Sequence, residues 1–137
     1  MSIVQTQTTS FKEELYQGIH DLSTDTLKIA LYTASANLNE TTTAYSATNE
    51  VTGTGYTAGG VTLTSVTISS SDYTAYVDFA NVVFGASVTA RCALIYNASQ
   101  GNKSIAVLDF GSDKTSTNFT ITMPANTATA ALIRSSN

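Results

Sequence analysis

The chain contains one cysteine, one histidine, one proline and no tryptophan among its 137 residues. A lone cysteine excludes an intrachain disulfide, and one cysteine with one histidine cannot assemble a soft-metal cluster. Charge is also scarce. Charged side chains make up 12% of the sequence, about half the share usual in soluble domains. The six basic residues, Lys12, Lys28, Arg91, Lys103, Lys114 and Arg134, are scattered along the chain. They form no stripe able to neutralise a phosphate backbone, which argues against nucleic-acid binding and equally against an anionic membrane surface. No apolar run approaches the ~20 residues that span a bilayer, and Met1–Ser10 is polar apart from Ile3 and Val4. The expectation is a soluble domain made in the cytoplasm, with solubility resting on Ser, Thr and Asn.

What is present is periodicity. Ser10 and Glu13 form an S-x-x-E capping pattern, and Phe11, Leu15, Ile19 and Leu22 share one helical stripe, so a helix is predicted over residues 11–21. Residues 1–9 read as a flexible arm, and 10–137 as a single β-rich domain. After Asp25 the period falls to two. Leu27, Ile29 and Leu31 alternate with Lys28, Ala30 and Tyr32, as in a strand with one buried face. Val61 and Leu63 are odd, whereas Val66 and Ile68 are even, a slip that predicts a bulge near Ser65 within one strand. Tyr73 to Phe79 alternates again. Val88 to Tyr96 is apolar on nearly both faces, as a central strand would be. Ile105–Phe110, Phe119–Met123 and a short Ala131–Arg134 complete the set, with Pro124 at a strand end. The fold class expected is mainly β, an antiparallel β-sandwich (jelly-roll or Ig-like) with one N-terminal helix.

Site chemistry is thin. His20 falls in the predicted helix without a partner motif, which reads as a half-exposed or core-edge polar residue rather than a general base. Cys92 lies in an apolar run and reads as a small buried hydrophobe. The nearest carboxylate pairs for a hard cation are Asp72 with Asp78 and Asp109 with Asp113, but neither has the dense acidic spacing of a calcium loop. Gly53–Gly60, GTGYTAGG, lacks both the Lys-Ser/Thr ending and the following helix of a phosphate loop. Its glycines are expected to supply positive φ and close backbone approach in a shaped loop. The reading is of a protein that is not an enzyme and carries no cofactor and no metal.

Three words in the sequence are familiar. FKEELYQGIHDL (Phe11–Leu22), DTLKIALYT (Asp25–Thr33) and TTAYSATNEVTGTGYTAGGVTL (Thr42–Leu63), with a weaker echo in Ala93–Gly111, resemble a group of small virion proteins encoded by tailed bacteriophages. Tyr16, Gln17 and the polar Asn37–Glu40 stretch depart mildly from those words. The resemblance implies a virion structural protein. A small domain without chemistry would there act as a capsid decoration (cement) protein, binding the major capsid protein or copies of itself as a homo-oligomer, dimer or trimer, on the capsid surface. A receptor- or glycan-binding module of a tail or head fibre is the alternative, favoured by seven tyrosines and disfavoured by the absent tryptophan. The candidate contact residues are Ile3 and Val4 in the arm and Tyr45 and Tyr56 in the long loop. Such tyrosines suit interfaces, or else simply cover the end of the sandwich.

Overall fold

The computed structural model describes residues 3–136. Its frame is an antiparallel β-sandwich. The strands are β1 (Thr6–Gln7), β2 (Leu27–Tyr32), β3 (Val61–Thr62), β4 (Thr67–Ser71), β5 (Thr74–Asp78), β6 (Val82–Val83), β7 (Val88–Asn97), β8 (Lys103–Ser116), β9 (Thr120–Ile121) and β10 (Ile133–Ser135). They form a five-stranded sheet in the order β1-β8-β7-β2-β3, a three-stranded sheet β10-β5-β4, and a small β6-β9 pair. The main core lies between the five-stranded sheet and the two smaller ones. It is built from alternate residues such as Leu27, Ile29, Leu31, Ala93 and Ile95 on one side and Val77, Phe79, Ile121 and Ile133 on the other.

The central strands β2 and β7 are apolar on both faces because both faces are covered. Ala30, Tyr32, Cys92, Leu94, Tyr96 and Val107 point away from the main core into a second cluster. That cluster is closed by Ala36 and Leu38 from the loop after β2, with Ile3 and Tyr45 packed on it. A bulge in the β7–β8 ladder between Ala90 and Cys92 flips the parity. Val88 and Ala90 therefore face the main core on even numbers, and Ala93 and Ile95 face it on odd ones.

The helix, α1, is Thr9–Tyr16 rather than 11–21. Its cap is Thr8, not Ser10: the Thr8 hydroxyl accepts from the Phe11 N–H and is itself held 2.9 Å from the Ser104 hydroxyl in a buried setting. The C-terminal end is a Schellman motif. The Ile19 N–H reaches the Glu14 carbonyl, and the Gly18 N–H reaches that of Leu15. Gly18 takes φ +72°, a conformation that is cheap without a Cβ. The helix ends at Tyr16, and of its apolar stripe Phe11 is fully buried while Leu15 is exposed.

Of the arm expected at residues 1–9, the described residues 3–9 lie against the domain. Thr6 and Gln7 pair with Val107 and Ala106 as β1, Thr8 is buried, and the Val4 and Thr9 N–H groups donate to the Leu38 and Glu40 carbonyls. Backbone groups that would otherwise be unpaired beside the sheet hold this segment down; residues 1–2 lie outside the described ones. The bulge expected near Ser65 is instead a corner. Ser65 adopts φ +53°, and the chain leaves the five-stranded sheet after β3 to begin β4 in the three-stranded one.

Candidate functional site

Among the candidate contact residues, Ile3, Tyr45 and Tyr56 converge on the loop that follows β2. From Thr33 to Gly60 this segment has no strand of its own, yet it is tied down throughout. The Thr33 N–H donates to Asn49, Val51 to Leu31, Tyr45 to Asn102 and Ser104 to Thr43. At its centre lies Glu50. One carboxylate oxygen accepts from the Tyr45 hydroxyl at 2.5 Å. The other accepts from the Tyr56 hydroxyl at 2.6 Å and from the Gly59 N–H at 2.8 Å. The Tyr96 hydroxyl donates to the Gly59 carbonyl, and the Tyr45 ring stacks on Tyr96 with centroids 4.7 Å apart. One carboxylate thus gathers three donors from residues spread over the loop, each a charge-assisted hydrogen bond.

Tyr56 also completes the sheet. β3 pairs with β2 only at Lys28 and Ile29. Past it, the Leu31 N–H donates to the Tyr56 hydroxyl at 2.9 Å, and the Asn49–Val51 backbone takes over thereafter. The loop therefore covers both the outer face and the free edge of β2, which would otherwise present unpaired groups for aggregation. Gly60 allows this approach: a Cβ there would lie 1.8 Å from the Ile29 carbonyl oxygen. The positive φ at Gly55, Gly59 and Gly60 agrees with the shaped-loop reading of GTGYTAGG. Burial is the first cause raising the pKa of Tyr32, Tyr45, Tyr56 and Tyr96 above the ordinary phenol range, and the nearby Glu50 charge adds to it.

The contact candidates thus divide. Tyr45 and Tyr56 turn their hydroxyls inward and cover the fold. Ile3 is half-buried beside Leu38, whereas Val4 is 42% exposed next to it. Large exposed side chains that were not among the contact candidates lie elsewhere: Tyr16 at 94% on the last turn of α1 and Tyr73 at 82% in the β4–β5 hairpin.

The other candidates for chemistry are similarly engaged. His20 lies outside the helix and is buried, which matches the core-edge alternative and not the half-exposed one. Its Nε2 lies 2.8 Å from a Glu14 carboxylate oxygen. Its Nδ1 faces the Asn97 side-chain amide nitrogen at 3.0 Å, and that nitrogen also donates to Asp25. The Asn97 amide oxygen accepts from the Ser99 N–H, which fixes the amide's orientation. Nδ1 is therefore the acceptor and Nε2–H the donor. The group ties the end of α1 to the end of β7. Cys92 is fully buried, and desolvation pushes its thiol up to about 11, away from thiolate chemistry. Asp109 pairs with Arg91, while Asp72 and Asp78 stand at opposite ends of β5. Among the described residues, no three His, Cys, Asp or Glu side chains cluster as a metal site. Comparison with protein-family models, curated proteins and solved structures finds no match.

Proposed function

We propose that this chain is a structural protein of a tailed-bacteriophage virion, a decoration (cement) protein that binds the assembled major-capsid lattice and strengthens it. The observation that carries the reading is the composition of the loop layer. Between Thr33 and Gly60 the only charged residues are Glu40 and Glu50, and Glu50 is turned inward on two tyrosines. A broad face nearly free of charge, held on a hydrogen-bonded backing, suits an interface core and loses little entropy on docking. Two of the words that resemble phage virion proteins, Asp25–Thr33 and Thr42–Leu63, coincide with β2, this loop and β3. The likeness therefore falls on one folded unit. A cement protein acts by mass action, since it binds the assembled lattice and not free subunits. Homo-oligomers, dimers or trimers, would make that binding multivalent.

The reading as a receptor- or glycan-binding module of a fibre draws on exposed aromatic rings. Tyr45 and Tyr56 are engaged internally, which leaves it Tyr16 and Tyr73 on separate elements. A density map of the intact particle separates the two. Copies spread over the icosahedral faces are expected; copies confined to the tail or a fibre would transfer the function to the receptor module, and absence from the particle would end both.

A further inference from the structure

Asp78, the last residue of β5, is only 3% exposed, yet it has no cationic partner among the described residues. One carboxylate oxygen accepts the Phe79 N–H at 2.9 Å; no hydrogen bond to the other is found among the described residues. Asp78 lines an open pocket of about 370 Å³. Thr67, its ladder partner on β4, and Ser65 form one wall, with the Thr67 hydroxyl donating to the Ser65 carbonyl. Asn81 and Asn126 supply amide groups, and the Asn81 oxygen already accepts the Met123 N–H. Met123 and Pro124 make the remaining wall apolar. No wall residue other than Asp78 is charged. Arg134 on neighbouring β10 pairs with Tyr76 and donates to the Thr129 carbonyl instead.

The Asp78 side chain is largely shielded from solvent and its second oxygen is reached only through the pocket, so a cation entering there would give the carboxylate the counter-charge it lacks. A divalent metal fits poorly, because calcium takes six to eight oxygen ligands, commonly from several carboxylates, and the pocket holds one. The walls instead match a basic side chain: Met123 and Pro124 can cover its methylene stem while Asp78 and the amide oxygens receive its N–H donors. We propose that the Asp78 pocket is a socket for a lysine or arginine side chain projecting from the surface to which the protein attaches. The identity of that surface rests on the virion reading above; the socket's chemistry does not. Desolvation, which raises the Asp78 pKa, is consistent with a site completed from outside.

The test uses the full chain and three capped tripeptides, Gly-Arg-Gly, Gly-Lys-Gly and the neutral citrulline isostere of the first. The Phe79 and Asn81 amide resonances serve as reporters. Saturable shifts are expected with the two basic peptides and none with the citrulline peptide. Asp78→Asn preserves shape and the acceptor for Phe79. It should bind at least about tenfold more weakly, as loss of a charged hydrogen-bond partner implies. Equal binding by Asp78→Asn, equal binding of the citrulline peptide, no saturable shift at all, or tighter binding of calcium ion at the same reporters would each overturn the socket. These outcomes are independent of where the protein sits on a particle, so failure here is distinct from failure of the virion assignment.

Discussion

Tyr56 shows that one residue type in a polar loop suits two roles, contact anchor and cover of the fold. A tyrosine in a polar loop suggests a contact anchor, but the Tyr56 hydroxyl donates to Glu50 and accepts from the buried Leu31 N–H. Tyr56→Phe retains the ring and leaves that N–H unpaired, so it should destabilise the free protein by about 1–3 kcal/mol in urea denaturation. A change within about 0.5 kcal/mol, the range of ordinary surface substitutions, would show that water replaces the hydroxyl. The wider consequence concerns attachment assays. Tyr56→Ala would weaken binding through the fold, and such a loss could not be read as a lost contact.

At the scale of elements, the N-terminal segment and β7 carry the clearest expectations. Thr8 caps α1 while its hydroxyl meets Ser104 across 96 residues of sequence. Thr8→Ala should therefore cost about 0.5–2 kcal/mol as a lost cap. In a thermal melt the midpoint should fall, whereas an unchanged midpoint would restore the picture of a free arm. Leu94 sits at the middle of β7, fully buried in the cluster on the loop-covered face. Leu94→Ala should cost about 2–5 kcal/mol. Because that cluster is closed by the loop and Ile3, proteolysis of the variant should begin in the loop, and cleavage elsewhere first would show that the two layers are not coupled.

The whole molecule responds to alkali through the loop layer. Tyr32, Tyr45, Tyr56 and Tyr96 all have pKa values raised in the folded state, with burial the leading cause. Their contribution is fully present below the unfolded phenol value of about 10 and is lost as pH rises beyond it, because the unfolded chain releases those protons first. Tyrosinate absorbance from these four should therefore appear together with loss of near-ultraviolet dichroism above about pH 10. Ionisation of the four while the fold persists would contradict the closed network. At the acid end, hydrogen bonding from Asn97 first, and from the Asp21 N–H, lowers the Asp25 pKa. That contribution is present above the ordinary carboxylate value and fades as pH falls through the lowered one.

The period-two runs at Leu27–Tyr32 and Thr74–Asp78 and the doubly apolar Val88–Tyr96 determined a β-sandwich and its central strand from the sequence alone, because side-chain burial is encoded locally by alternation. The same was true of Cys92 as a buried thiol and of the glycines in GTGYTAGG, whose backbone requirements belong to the residue itself. The helix stop at Gly18 was not read, because the apolar stripe of Phe11, Leu15, Ile19 and Leu22 runs past it. The docking of residues 3–9, the corner at Ser65, the partners of His20 and the gathering of Tyr45, Tyr56 and Gly59 on Glu50 were decided only in three dimensions. Each depends on a partner distant in the chain or on which of two sheets a strand joins, and neither leaves a period in the sequence. A polar loop looks alike whether it faces solvent or seals a sheet, since the same Ser, Thr and Tyr side chains satisfy water or backbone equally well, and only the packed sheet beneath it selects between them.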